Sequence, residues 1–105
     1  MRFIESPNFT KAVADLLTDD EYRSLQTALL LRPEQGAPIK GGAGLRKIRW
    51  KQSGRGKRGG ARVIYYWYGE GDILYMVYAY SKSDQGDLAP AQVRQLARLV
   101  REEFK

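Results

Sequence analysis

Residues Arg62–Ser81 read "RVIYYWYGEGDILYMVYAYS". Two runs of β-branched and aromatic side chains flank Gly69-Glu70-Gly71-Asp72, the composition of a turn between two strands. After Arg62, the run to Tyr68 is apolar or aromatic on both of its alternating faces, the pattern of a central strand covered on both sides. Ile73 to Ser81 makes the next strand. Upstream, Leu45 to Lys51 alternates as another, with Arg46, Ile48 and Trp50 on one face and Lys47, Arg49 and Lys51 on the other. The connection Gln52 to Ala61, "QSGRGKRGGA", is long and glycine-punctuated rather than a tight hairpin turn.

Further out, the helical period takes over. Ser6-Pro7 is a helix-start pair, and Phe9, Val13, Leu16 and Leu17 then mark one helix face. Thr18 and Glu21 have capping-box spacing and open a second helix. Its buried stripe is Tyr22, Leu25 and Leu29, and Pro33 ends it just beyond Arg32. The two helices are expected to form an antiparallel hairpin. Arg2 to Glu5 reads as a first strand and Pro33 to Gly44 as loop. Asp87 and Pro90 mark the start of a last helix, faced by Val93, Leu96, Ala97, Val100 and Phe104. The expected fold class is α+β: a small antiparallel-dominated sheet, its last three strands a meander, packed by two N-terminal helices and a C-terminal helix. At 105 residues, 1–105 is expected to be one domain.

The charge is local. The thirty-five residues Gln35–Gly69 hold nine Lys or Arg and no Asp or Glu, whereas the remaining seventy hold nine basic and twelve acidic residues. Such a field suits a polyanion, RNA or DNA first. Lys47 and Arg49 share a strand face, the hairpin brings Arg62 near them in a suitable register, and Lys82 ends the next strand. Crowded cations repel one another and favour a bound counter-charge. In the loop, Arg55, Lys57 and Arg58 are expected to neutralise nucleic-acid backbone that the glycines let approach. The loop is no P-loop, because G-x-x-x-x-G-K-S/T is absent. Most of the eight aromatics from Trp50 to Tyr80 are needed in the core, leaving one or two for base stacking.

Several chemistries are excluded or disfavoured. There is no cysteine and no histidine, so thiolate catalysis, disulfides and the commonest general base and metal ligand are missing. The carboxylate groups Asp19–Glu21 and Asp84/Asp87 read as helix-start residues rather than a cation site, so neither metal nor cofactor is expected. No stretch approaches the roughly 18–20 apolar residues of a membrane span, and the N-terminus lacks a signal-peptide run. A cytoplasmic protein without a membrane partner is expected.

At "GLRKIRW", "GKRGGARVIYYWY" and "YMVYAYSK" the chain resembles the RelE superfamily of bacterial toxins, closest to its HigB-type members. The resemblance implies the toxin of a type II toxin–antitoxin pair, which enters the ribosomal A site and cleaves bound mRNA. Lys47 and Arg49 match the family's paired strand cations, Arg62 the arginine after the glycine loop, and Lys82 the cation ending the next strand. These four are the implied catalytic set. Arg46, Lys51 and Tyr80, with the three loop cations, are assigned to RNA or ribosome contact. Leu88 departs from the pattern, standing where some relatives carry a tyrosine implicated in catalysis.

The implied reaction is attack of an RNA 2′-hydroxyl on its adjacent phosphate, needing alignment, charge stabilisation and proton transfer but no metal. Arginine suits the phosphate clamp, so Arg49 and Arg62 take that part, leaving Lys47 or Lys82 as general base or acid. Expected partners are an acidic neutralising antitoxin, the ribosome and mRNA, with operator DNA reached only through the antitoxin complex. Two other readings compete: a ParE-type DNA gyrase poison, and a non-catalytic RNA-binding module with the same salt-sensitive basic face.

Overall fold

The computed structural model describes residues 1–51 and 60–104. In chain order these form β1 (Arg2–Glu5), α1 (Pro7–Leu16), α2 (Asp19–Leu31), β2 (Ala37–Pro38), β3 (Arg46–Trp50), β4 (Ala61–Tyr68), β5 (Ile73–Ser81) and α3 (Pro90–Glu103). The sheet order is β1-β5-β4-β3-β2. The antiparallel meander β3-β4-β5 stands as expected, and the class is α+β. Two features go beyond the sequence reading. β1 joins β5 in parallel, and Ala37–Pro38, inside the expected loop, pairs with Lys47 and Arg46 as a two-residue edge strand. So short a strand carries no periodicity to read.

Two apolar layers sandwich the sheet. On one face, Phe9, Val13, Leu25 and Leu29 from α1 and α2 meet Ile48, Val63, Tyr65, Leu74 and Met76. On the other, Leu96, Ala97 and Val100 from α3 meet Leu45, Ile64, Tyr75, Val77 and Tyr80. β4 and β5 are therefore covered on both faces, which explains their continuous apolar runs. Among the described residues, no helix is long and apolar enough to cross a membrane.

The register of β5 breaks once. Ile64 opposes Tyr78 and Tyr65 opposes Met76, leaving Val77 as an extra residue, a β-bulge. Val77 and Tyr78 consequently both join the α3-side layer, and the alternation beyond them is reversed. Ser6 closes the irregularity. Its hydroxyl donates to the Val77 carbonyl at 2.7 Å and accepts the Phe9 amide at 3.0 Å, while its own amide donates to the Met76 carbonyl at 2.9 Å. One buried side chain thus caps α1 and satisfies the bulge. Thr18 caps α2 with a complete capping box, but at the surface.

Replacing Ser6 by alanine removes the cap and the hydroxyl's bond to the Val77 carbonyl. The expected cost is about 2–3 kcal/mol by urea denaturation, against about 1 kcal/mol for Thr18→Ala. Equal costs for the two variants would show that the Val77 contact contributes nothing.

Candidate active site

The α3-side face of the meander carries two cross-strand rows. Arg49, Arg62 and Tyr80 occupy directly opposed positions on β3, β4 and β5. Lys47, Ile64 and Tyr78 form the neighbouring row. Residues two apart on a strand share a face, so Lys47 and Arg49 lie side by side above the α3 layer. Opposed side chains on antiparallel strands have Cβ atoms about 4.5–5.5 Å apart, so Arg49 and Arg62 leave the sheet as neighbours. Lys47 and Arg62 are half-buried and Arg49 is exposed.

The segment leading into α3 folds back over these rows. Lys47 Nζ lies 3.1 Å from Asp87 Oδ1, and the same oxygen accepts the Leu88 amide at 2.8 Å. The Leu88 amide, then Lys47, hold the Asp87 carboxyl below the usual carboxylate range, with Lys82 adding attraction. Lys82 is exposed, its Nζ donating to the Gly86 carbonyl at 2.7 Å and its amide to the Gly60 carbonyl at 3.2 Å. Gly60 has φ 65°, and a Cβ there would collide with the Trp50 carbonyl, so only glycine lets β3, β4 and Lys82 meet at this corner. Lys47 and Asp87 also border a cleft of about 450 Å³, walled by Ile39, Leu88, Pro90 and Val93.

Tyr80 sits beneath. It is 5% exposed and its ring stacks on Tyr78 with centroids 5.9 Å apart. Its hydroxyl has no hydrogen-bond partner among the described residues. Burial pushes the phenol pKa up, Asp87 pushes it further and Arg62 opposes the rise.

Of the expected site residues, the structure brings Lys47, Arg49 and Arg62 onto one face and sets Lys82 at its edge, linked through Asp87. Arg46 does not join them. Its Nη1 donates to the Glu34 and Gly36 carbonyls, each at 2.8 Å, so it pins the segment after α2 to β3. In the same corner, the buried Tyr65 hydroxyl donates to the Pro33 carbonyl at 2.7 Å and accepts the Gly36 amide at 2.9 Å. Lys51 lies just past β3, beside Asp20, Glu21 and Ser24 of α2. The buried ring of Tyr80 leaves no face for a base to stack on. Arg55, Lys57 and Arg58 lie outside the described residues, as does nearly all of the expected connection between β3 and β4.

Asp87 is the residue that sequence reasoning misplaced. It does not start α3, whose N-cap is Ala89 with its amide donating to Gln92 Oε1 at 2.8 Å. Forty positions separate Asp87 from Lys47, so no local pattern could have joined them. Among the described residues, no three of His, Cys, Asp or Glu converge as a metal site. The arrangement has a clear chemical capacity: fixed cations over an apolar floor can grip a phosphodiester from more than one side.

A family model described as "RelE toxin of RelE / RelB toxin-antitoxin system" matches residues 7–105. The structure is also similar to that of E. coli toxin RelE in the free state, solved as a mutant with two arginines changed to alanine. That similarity covers 93% of this chain and 94% of the other, with TM-score 0.61 and 16% sequence identity. At that identity the likeness speaks for the fold.

The Lys47–Asp87 pair has a pH signature. Folding lowers the Asp87 pKa, so its contribution is present at neutral pH and is lost as the pH falls through the lowered value. A carbon-detected NMR titration is expected to place the Asp87 midpoint below the ordinary aspartate value. Lys47→Met is expected to raise it only part of the way, because the Leu88 amide still donates. A midpoint unmoved by Lys47→Met would contradict the pairing.

Proposed function

The chain belongs to the RelE family of toxins of RelE/RelB toxin–antitoxin systems, and we propose that it is a ribosome-dependent endoribonuclease that cleaves translated mRNA. As a toxin of such a pair it has a cognate antitoxin. The observation that carries the proposal is the row of Arg49 and Arg62 on opposed strands with Lys47 two residues away. Like charges set directly opposite repel, and a phosphate between them turns repulsion into a clamp.

In this reading the two guanidinium groups hold the scissile phosphate of mRNA in the ribosomal A site. The RNA 2′-hydroxyl attacks phosphorus, the bond to the 5′-oxygen breaks, and a 2′,3′-cyclic phosphate forms. Lys47 and Lys82 are the candidates for taking the 2′ proton and returning one to the leaving oxygen, since they are the amines at this face and its edge. The cations stabilise the charge of the transition state, and the mechanism calls on no metal. The ribosome supplies the remaining alignment, so free RNA is cut slowly. Cleavage in the cytoplasm inhibits translation. An acidic antitoxin segment lying over the cationic face would neutralise it, and operator DNA is met only through that complex. Leu88 supplies no phenol at its position, where it instead packs into the α3-side layer.

A translating extract with a defined mRNA, analysed by primer extension, tests this. The protein is expected to create new codon-phased 5′ ends, and Arg62→Ala or Lys82→Ala to reduce their rate by about 100-fold or more. Intact mRNA at high protein concentration would sink the proposal, and loss of supercoiling activity in a gyrase assay would replace it.

A further inference from the structure

The Tyr80 hydroxyl is the one buried side-chain polar atom among the described residues with neither a hydrogen-bond partner nor solvent. Leaving a hydroxyl so placed is costly, and such a group in a site points to an acceptor that arrives from outside. Its neighbours say what that acceptor is. Tyr80 stands directly opposite Arg62, at the end of the row that begins with Arg49. On the neighbouring row an anion is already present: the Asp87 carboxylate, held on Lys47 at 3.1 Å.

We propose that the Tyr80 hydroxyl donates a hydrogen bond to the scissile phosphate held by Arg49 and Arg62, and that Asp87 is the resting counter-anion of Lys47, released when RNA arrives. This rests on the nuclease reading and adds a residue to its site. Asp87 is exposed and its segment is anchored through surface contacts, so exchanging one anion for another at Lys47 costs little. The Tyr78 stack and the α3 layer hold the Tyr80 ring in place, so the hydroxyl is set before substrate arrives. With its pKa raised chiefly by burial, the phenol keeps its proton and acts as a neutral donor rather than an acid. It therefore marks phosphate position without taking part in proton transfer.

Tyr80→Phe isolates the oxygen. Single-turnover cleavage of ribosome-bound mRNA is expected to slow about 10- to 100-fold, the loss of one hydrogen bond to a charged group. Ribosome binding, measured by co-sedimentation, is expected to stay at the wild-type level. The thermal unfolding midpoint is expected to hold or rise, since an unpartnered buried hydroxyl is removed. Wild-type cleavage by Tyr80→Phe overturns the inference and leaves the nuclease reading standing. A lowered unfolding midpoint also overturns it, by showing that the hydroxyl is bonded in the resting protein. A wild-type protein that never cleaves overturns the nuclease reading, and this inference with it.

Discussion

The geometry of the cationic face depends on the β-bulge at Val77 and on the serine that closes it. Strict alternation from Leu74 and Met76 would turn Tyr78 and Tyr80 toward α1 and α2, away from Arg62. The extra residue reverses the phase, so both tyrosines reach the α3 side, where Lys47, Arg49 and Arg62 already stand. Ser6 makes the bulge tolerable by taking up the Val77 carbonyl, while its amide continues the β1–β5 ladder at Met76. The first strand, the first helix and the last strand are thus joined at one buried oxygen.

Around that point the molecule separates its tasks by face. The α1 and α2 layer is closed and apolar, and its corner at Pro33–Gly36 is fastened by Tyr65 and Arg46. The α3 layer is apolar only as far as Ile64 and Tyr80, beyond which cations take over. A charged row can be kept on a sheet this small because each cation stands on a strand already buried from behind. The repulsion among the cations is then offset by packing that does not involve them.

Most of this was legible in the sequence because the periods are strong. The strands Arg2–Glu5 and Ile73–Ser81 and the helix starts at Ser6-Pro7 and Thr18 follow from alternation and capping chemistry alone. The pairing of Lys47 with Arg49 follows from their spacing. The bulge could not be read, since Val77 is as good a strand residue as its neighbours and only the long-range partner reveals the slip. That Arg46 holds the Glu34 and Gly36 carbonyls could not be read either, because charge alone does not show where a guanidinium donates. Asp87 reads as a helix start because aspartate shortly before proline usually is one. Its contact with Lys47 exists only once α3 is docked.

The meeting of Trp50 with Ala61 as opposed residues, locked by the conformation of Gly60, has a consequence for how such a protein can diversify. The two ends of the intervening basic segment are fixed to each other by the sheet, so its length is decoupled from the register of the rows. Closing a longer loop across fixed ends costs only slowly more, about 0.6 kcal/mol per doubling. Insertions, deletions and charge changes there can therefore alter the basic segment while the row of Arg49, Arg62 and Tyr80 keeps its spacing. Under the nuclease proposal, affinity and chemistry would then occupy separate stretches of chain, each open to selection without disturbing the other.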